Sequence, residues 1–537
     1  MFWVALSIQG GGGIDSPRPA SQRAAAFILT AAMLITLTAP AFAETWYIEN
    51  GDITVKASGT EGKNTVSQGN KKDVEDTNTI ITNQNQDKAS SHTVTIDAND
   101  KNDKVEVTLK DVNIDTSSRN KAAVSVTGSG NTTIKLDGDN ALKSDTYRSG
   151  IYGSGSLTIS GGTVTANGDD GGHGIYSRGS ITISGGSTVT ANGRSGTISG
   201  GDGIRSDGGV TISGGTVNAT GGNGGSIGGG SGIYSNGSVT ISGGTVTAKG
   251  GSGEDGYGGD GIRSSSGGVT VSDGTVTAKG GNGDSKDGYG GDGIRSGGVV
   301  TISGNTVNAA GGYGGKVGGY GICSFDRVAI SGGTVEAAGG NGSTGGGSGI
   351  YSSVIDLSGS LELTAKAGSP TGKALLQNGS ELDLDTIKDK LGPGAKVTVT
   401  DANGETKQVS IPRPVEPEEP VIPGESSSSS DGGSSAPSAP ASPLPGLTVT
   451  DKSGAVISYT STQSGNTLTI CVGRFTASLR ASLSALRPLR AEGIETITFQ
   501  TILCSTTLSV DELLAMGGED AEAVLTHRLT DSSLTVG

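Results

Sequence analysis

The stretch from Gly232 to Ala248 reads Gly-Ile-Tyr-Ser-Asn-Gly-Ser-Val-Thr-Ile-Ser-Gly-Gly-Thr-Val-Thr-Ala. Variants of it occur eight times between Gly150 and about Gly368, and each is followed by a glycine-rich run. The isoleucines of the Gly-Ile-x-Ser motif are separated by 24, 29, 29, 29, 32, 28 and 28 residues. A period of this length is typical of solenoids, propellers and repeat arrays. These isoleucines are Ile151, Ile175, Ile204, Ile233, Ile262, Ile294, Ile322 and Ile350.

Each repeat predicts short strands and no helix. Val239–Ser242 and Thr245–Ala248 alternate apolar and polar residues with a period of two, and Gly243 and Gly244 mark a bend between them. The repeats are too short for the four strands of a propeller blade, which needs about 40 residues. We therefore predict an all-β fold, a parallel β-helix in which each repeat is one coil.

The composition agrees with a β-helix, although it resembles that of disordered chains. Only 32% of the residues are apolar, and 97 of the 537 are glycine. A β-helix buries a thin column of aliphatic residues and turns through many tight corners, so regularly spaced Val and Ile favour the folded alternative. The repeats differ in length mainly in the glycine-rich run, which predicts that the insertions lie along one edge of the solenoid.

The rest of the chain divides by composition. Arg18 and Arg23 precede an apolar run, and Ala41-Phe42-Ala43 has the pattern of a cleavage site, so a signal peptide is expected. The C-terminal part predicts a small α+β domain that follows a Pro/Ser/Glu-rich linker, with a helix from Ser478 to Arg487 that ends at Pro488. The predicted segments are 1–43 (signal peptide), 44–149 (N-terminal cap and irregular coils), 150–370 (repeat β-helix), 371–411 (C-terminal cap), 412–446 (linker) and 447–537 (α+β domain).

Charge and reactive side chains restrict the classes of function. The formal net charge is −15, which argues against binding to nucleic acid or to an anionic membrane and is compatible with calcium. His92, His173 and His527 are far apart in the sequence, so neither a histidine-based triad nor a zinc centre is predicted. Cys471 and Cys504 are close enough in the sequence for a disulfide within the C-terminal domain to be considered.

The residue after each repeat isoleucine is the main candidate for ligand binding. If the isoleucine points inward, its neighbour points outward, and stacked coils place these neighbours in one column at steps of about 4.8 Å. Aromatic rings and guanidinium groups suit sugar faces and acidic sugars. Alternatively, these side chains stack on each other and cover glycine-rich neighbours. Cys323 occupies the column in one repeat, and the candidate carbohydrate-binding residues are Tyr152, Tyr176, Arg205, Tyr234, Arg263, Arg295 and Tyr351.

A second candidate site is a set of aspartates near the Asp-Gly-Ile-Arg-Ser motifs. Stacked carboxylates at a loop edge would offer the hard oxygen ligands that calcium prefers. The alternative is that each aspartate caps its turn or pairs with the arginine three residues later. The candidate calcium ligands are Asp202, Asp255, Asp260, Asp287 and Asp292.

The repetition itself argues against catalysis. An active site combines different residues in different roles, whereas here the candidate polar residues recur with the same identity from coil to coil. No coil supplies the two facing carboxylates that glycoside hydrolysis needs. A shallow repeated surface instead favours binding of an extended polymer or a scaffolding role, and no catalytic residue is predicted.

The Gly-Ile-Tyr-Ser … Val-Thr-Ile-Ser-Gly-Gly-Thr-Val-Thr-Ala repeats resemble the β-helical carbohydrate-binding-domain family of secreted proteins from anaerobic, clostridial-type bacteria. The resemblance extends from about Trp46 to Gly368. It implies a right-handed parallel β-helix that binds plant-type polysaccharide, cellulose or pectin-like, with calcium in some members. Repeat-level motifs specify the fold better than the ligand, so no binding residue of the family is carried over.

Three functions are consistent with the sequence. The first is a secreted or cell-surface, non-catalytic protein that binds a plant cell-wall or host polysaccharide. The second is a bacterial adhesin or structural stalk, peripherally associated with the cell surface. The third is a polysaccharide lyase or hydrolase on a β-helix.

Overall fold

The computed structural model describes residues 44–58, 62–304, 306–412, 446–451, 456–457, 459–464, 466–472, 476–501, 505–518, 521–527 and 532–536. The predicted signal peptide and nearly all of the predicted linker lie outside these residues. The chain divides into two compact units, one ending at Pro417 and the other beginning at Glu418. None of the helices in the described ranges has the length and hydropathy of a membrane span.

The first unit is a β-solenoid of about 13 turns, which confirms the predicted all-β solenoid. One face is a parallel ladder that contains the Gly-Ile-x-Ser motifs, and each strand pairs with the equivalent strand of the next coil. Its strands are Ile53–Ala57, Val94–Ala98, Val124–Gly128, Ile151–Gly153, Ile175–Ser177, Ile204–Ser206, Ile233–Ser235, Ile262–Ser264, Ile294–Ser296, Ile322–Ile330, Ile350–Leu357 and Leu375–Gln377.

Two further parallel ladders form the other sides of the solenoid, and several long strands bend from one into the other. The second ladder contains Thr45–Tyr47, Ile80–Thr82, Lys104–Lys110, Asn131–Thr146, Ser156–Asp169, Ile181–Ser184, Val210–Thr220, Val239–Lys249, Val269–Lys279 and Val300–Ile302, and it continues through the ends of Ile322–Ile330 and Ile350–Leu357. The third contains Asn113–Asp115, Thr188–Asn192, Thr306–Ala310, Gly333–Ala338, Leu361–Lys366 and Lys396–Thr400, together with the ends of the long strands.

The interior is a column of aliphatic side chains. The eight repeat isoleucines are fully buried, and the Val, Ile and Ala residues of the other two ladders pack against them. Because successive side chains on a strand point to opposite faces, the alternating Val-Thr-Ile-Ser pattern buries its apolar residues and leaves its polar ones at the surface. The predicted inward direction of the repeat isoleucines is therefore confirmed.

Both ends of the solenoid are covered by local structure. At the start, Asn64–Gln68 and Lys71–Asp76 add antiparallel to the first coil, and Trp46 is buried with its Nε1 donating to Asp76 Oδ2 at 2.8 Å. A 3-10 turn occupies Ile48–Asn50. At the other end lie the short strand Ser380–Glu381, a 3-10 helix at Leu384–Lys390 and the antiparallel strand Thr406–Ser410. These elements cover apolar ends that would otherwise be exposed.

The described residues of the second unit form two small sheets and two helices. One sheet is antiparallel, in the order Val456–Ile457, Leu447–Thr450, Ala477–Ser482, Glu522–His527 and Ser532–Val536, and the other is in the order Thr460–Ser464, Thr467–Cys471, Thr496–Gln500 and Ser505–Ser509. The helices are α1 (Leu483–Ala491) and α2 (Val510–Met516).

The predicted helix from Ser478 to Arg487 is wrong in both bounds. Residues 478–482 belong to a strand that pairs with Leu447–Thr450, and Ser482 then caps α1 by accepting the N–H of Ala485. Pro488 lies inside α1, where it removes one backbone donor. Burial of Leu483 and Leu486 offsets that loss.

Candidate functional site

The predicted outward column exists. In the ladder of Gly-Ile-x-Ser strands, the residue after each isoleucine pairs directly with its equivalent in the next coil, and all but Cys323 are half-buried at the surface. The thiol of Cys323 is buried instead. The structure thus brings together every predicted carbohydrate-binding residue, in the order Tyr152, Tyr176, Arg205, Tyr234, Arg263, Arg295 and, after Cys323, Tyr351.

Column members also contact each other, as the alternative interpretation expected. The rings of Tyr152 and Tyr176 meet edge to face with centroids 5.6 Å apart. The guanidinium of Arg205 lies 4.5 Å from the ring centre of Tyr234, and that of Arg263 lies 5.8 Å away on the next coil. These contacts order the side chains before any ligand arrives, which lowers the entropy cost of binding.

Three of the predicted calcium ligands have carboxylate groups that are already bonded to other groups of the protein. Asp202, Asp260 and Asp292 are buried, and each is paired with the arginine three residues later, at 3.1, 3.5 and 3.1 Å. The other carboxylate oxygen of each accepts a backbone N–H from the following coil at 2.7 to 2.8 Å. They therefore fix the arginines of the column and join neighbouring coils.

The calcium hypothesis gains no support from this arrangement. Asp255 and Asp287 are exposed, whereas the other three candidates are buried beside their arginines. In the described part of the chain, no group of three or more His, Cys, Asp or Glu side chains stands close enough to hold a metal ion.

Two of the buried aspartates, Asp260 and Asp292, have perturbed acidity. Burial, together with the nearby carboxylate of Asp260, raises the pKa of Asp292 to about 7, although Arg295 acts in the opposite direction. Burial also raises the pKa of Asp260 despite the neighbouring arginines. Burial is the main cause, because a carboxylate removed from water loses more solvation than the neighbouring arginines return.

The glycine-rich run is an ordered part of the solenoid. Gly251 donates its N–H to the carbonyl of Gly230 at 2.8 Å and accepts the N–H of Gly259 at 2.8 Å. Side chains have no room here, because a Cβ on Gly259 would lie 1.9 Å from the carbonyl oxygen of Gly230. The same hydrogen bonds continue through Gly281, Gly291, Gly312, Gly319, Gly340, Gly347 and Gly368.

This glycine stack forms the floor of a groove beside the column. The groove has a volume of about 470 Å³. Arg263 and Arg295 of the column, each with its aspartate, lie on one side, and Tyr257 and Tyr289 lie on the other. The two tyrosine rings stack with centroids 5.2 Å apart and an interplanar angle of 25°. We call this feature the Tyr257 groove.

The outer wall of the Tyr257 groove is a ladder of its own. Equivalent residues at the tips of the glycine-rich corners pair from coil to coil, which confirms that the variable segments lie along one edge. Tyr257 is 61% exposed, so its ring is open to solvent. The paired residues are Ser199, Gly228, Tyr257, Tyr289, Val317 and Gly345.

Sequence reasoning missed the tyrosines of the groove. Tyr257 and Tyr289 stand in the two Asp-Gly-Tyr-Gly-Gly-Asp-Gly-Ile-Arg segments, in which only the aspartates were predicted as site residues. The recurrence of Tyr at the same place in that motif was the available signal. Tyr320 was also missed; its ring stacks on that of Tyr351 at 4.9 Å and 14°, and burial raises the pKa of its hydroxyl to about 12.

Comparison with known proteins agrees with the carbohydrate-binding interpretation. The model of one protein family, described as Carbohydrate-binding domain-containing protein, matches residues 87–345, just under half of the chain. The matched range includes the Tyr257 groove and every column residue except Tyr351. Comparisons with curated proteins and with solved structures found no match.

Proposed function

We propose that the protein is a non-catalytic polysaccharide-binding protein that holds an extended glycan chain along the Tyr257 groove. The supporting observation is the juxtaposition of two stacked tyrosines, of which Tyr257 is open to solvent, with the ion-paired Arg263 and Arg295 across a glycine floor. Aromatic rings pack against the apolar faces of sugars, and guanidinium groups donate hydrogen bonds to sugar hydroxyls. The family match supports carbohydrate as the ligand class.

The geometry of the groove favours a polymer over a small sugar. Its outer wall extends over five coils, from Ser199 to Val317, which at about 4.8 Å per coil is about 19 Å. It runs along the solenoid axis, so consecutive sugar units would meet equivalent groups on consecutive coils. Because the side chains are held by stacking and ion pairs, little conformational entropy is lost on binding.

A binding role without hydrolysis is supported by the state of the carboxylates. Asp260 and Asp292 line the groove, but their oxygens face an arginine and a backbone N–H. Glycoside hydrolysis requires one carboxyl group to protonate the leaving oxygen and another to act on the sugar. Neither aspartate has a free oxygen for such a step in this arrangement.

We further propose that the protein acts outside the cell or at its surface, where it would encounter polymeric polysaccharides. The apolar run and small-x-small motif before Glu44 support this location. A stalk or adhesin role is the alternative, and it would use the same rigid solenoid as a spacer.

The proposal is tested by binding to cellulose, xylan, pectin and mucin in pull-down and affinity-gel assays, with and without a chelator. Tyr257→Ala combined with Tyr289→Ala should weaken retention at least tenfold. Tyr313→Ala is the matched control, because Tyr313 is an exposed tyrosine of the same edge that does not line the groove. Failure to bind any polysaccharide would refute the proposal, and release of unsaturated oligosaccharides would establish a lyase instead.

A further inference from the structure

A second groove lies at the N-terminal end of the same face, on coils that precede the Tyr257 groove. It has a volume of about 660 Å³. Tyr152 and Tyr176 of the column and the 67% exposed Tyr147 supply its aromatic surface. His173 also lines it, in contact with Tyr176 at 5.5 Å between ring centres. We call it the Tyr147 groove.

The charged residues that line this groove are all basic, unlike those that line the Tyr257 groove. Lys121, Arg148 and Arg178 line it, and no aspartate or glutamate is among the described residues that do so. The Tyr257 groove, by contrast, contains each arginine together with a carboxylate. In a chain of net charge −15, a concave site lined by three cations attracts anions locally.

Two of the three cations, Lys121 and Arg148, are not neutralised by the groups that they contact. Arg148 Nε donates to the neutral amide oxygen of Asn120 at 3.1 Å. Lys121 Nζ is 3.5 Å from Asp52, but that carboxylate already receives two hydrogen bonds from Arg119, at 2.7 and 3.0 Å. One carboxylate thus faces two cations, and positive charge is left in excess.

Arg178 completes the set beside the aromatic wall. It lines the groove together with Tyr176, whose hydroxyl donates to Asp207 at 2.7 Å. Asp207 is also 3.9 Å from Arg205, but that arginine has a closer partner in Asp202, at 3.1 Å. The surplus of positive charge in the groove therefore comes from Lys121 and Arg148, and Arg178 adds an exposed guanidinium group beside the tyrosines.

His173 adds a neutral donor. Its Nδ1 accepts the backbone N–H of Asp202 at 2.8 Å, which fixes the ring as the tautomer that carries its proton on Nε2. Burial lowers the pKa of His173 although the carboxylate of Asp202 acts against it, so the ring stays neutral around pH 7. A neutral imidazole N–H is a suitable donor to a sugar hydroxyl.

From these observations we infer that the Tyr147 groove is a separate subsite for a saccharide that carries an anionic substituent, a carboxylate or a sulfate ester. The tyrosines contact the sugar ring, and Arg148, Arg178 and Lys121 receive the negative group. The inference rests on the proposed function, because it places the subsite on the same glycan-binding face. Ligand charge then decides which groove a glycan occupies.

The test uses the full chain and measures affinity by calorimetry for three defined probes: an oligogalacturonate, a sulfated chondroitin oligosaccharide and a cello-oligosaccharide. The double variant Arg148→Gln, Arg178→Gln should weaken binding of at least one anionic probe tenfold or more and should flatten its salt dependence. Affinity for the neutral probe should stay unchanged. The control is Arg327→Gln, which removes an exposed arginine from outside the groove.

If the double variant loses affinity for only the oligogalacturonate or only the sulfated oligosaccharide, that result identifies the anion that the subsite binds. Unchanged affinity for both anionic probes in the double variant would overturn the inference, as would a wild-type chain that binds neither. The proposed function is judged separately, by polysaccharide retention in the Tyr257, Tyr289 variant. If the chain binds neutral glycans and the Arg148, Arg178 double variant keeps its affinity for the anionic probes, the proposed function stands and the anionic subsite is refuted.

Discussion

Asp292 and Arg295 form an ion pair within one coil of the solenoid, in which Oδ2 of the aspartate accepts a hydrogen bond from Nη1 of the arginine at 3.1 Å. The second carboxylate oxygen accepts the backbone N–H of Tyr320 on the following coil at 2.7 Å. One buried side chain thus orients a groove arginine and ties two coils together. Asp202 and Asp260 repeat the arrangement on earlier coils.

The first prediction concerns stability against pH. Because burial and Asp260 raise the pKa of Asp292 to about 7, from 3.8, the folded chain binds more protons than the unfolded chain between about pH 4 and pH 7. The contribution of Asp292 to stability therefore decreases as the pH rises through this window. Asp292→Asn should make the pH dependence of the melting temperature shallower between pH 4 and 7.

Thermal melts followed by circular dichroism at several pH values measure this slope. Asp287→Asn is the control, since Asp287 is exposed on the glycine-rich corner of the same repeat. Equal slopes for wild type and Asp292→Asn would show that Asp292 does not take up the proton.

The second prediction concerns the glycine stack. A Cβ at Gly259 would meet the carbonyl oxygen of Gly230 at 1.9 Å, so Gly259→Ala must displace the backbone of two coils. Overpacking of this kind costs about 1–3 kcal/mol. We expect the free energy of unfolding of the first unit to fall by about that amount in urea titrations.

Gly214→Ala provides the matched control for the glycine stack. Gly214 lies in a strand of the same solenoid, and a Cβ there meets no atom within 4 Å. If both alanine variants were equally stable, steric exclusion by neighbouring carbonyls would not explain the glycine content of the corner.

The third prediction concerns the N-terminal cap. Trp46 is buried and its Nε1 donates to Asp76 Oδ2, so Trp46→Phe removes a hydrogen bond from a carboxylate that is itself buried. Leaving a buried acceptor without its donor costs about 1–3 kcal/mol, and more where the acceptor is charged. The melting temperature should drop, whereas Tyr47→Phe, at an exposed neighbour, should leave it unchanged; the opposite ranking would exclude Trp46 as the cap.

The fourth prediction concerns the column. Tyr234 is flanked by Arg205 at 4.5 Å and Arg263 at 5.8 Å, so Tyr234→Ala removes the ring that orders both guanidinium groups. Affinity for a bound polysaccharide should fall about fivefold, with little change in the melting temperature, because the side chain is half-buried. Affinity electrophoresis measures the first quantity and calorimetric melting the second.

Arg263 needs a paired substitution in the same experiment. Arg263→Ala alone would leave Asp260 buried without its partner, so a loss of binding could reflect a disturbed fold. Asp260→Asn combined with Arg263→Gln removes both charges together. Undiminished affinity in this double variant and in Tyr234→Ala would remove the column from the binding surface.

Much of the fold was predictable because a solenoid is governed by local, repeated rules. The alternation of Val, Thr, Ile and Ser determines which side chains point inward. The fixed position of Ile151, Ile175 and Ile204 in successive repeats determines the register, so the inward isoleucines and the outward Tyr/Arg column followed directly. The bounds of the helix near Pro488 were not predicted correctly, since residues 478–482 pair with the strand Leu447–Thr450 instead of continuing the helix.

The candidate site depended on contacts that no linear pattern displays. Tyr257 and Tyr289 are 32 residues apart in the sequence, yet their rings stack because they occupy equivalent positions on adjacent coils. The aspartates recurred like metal ligands, but only the stacked coils show that their oxygens are taken by arginines and by backbone N–H groups.

By itself, the sequence determined the all-β repeat, the buried aliphatic column and the position of the variable edge, because strand periodicity and glycine corners act over a few residues. Only the tertiary structure decided which groups share a groove, where charges cancel and where Lys121 and Arg148 leave an excess. The physical reason is that electrostatic interactions and ring stacking depend on distances of a few ångströms between coils. Those distances are set only when the chain folds into the solenoid.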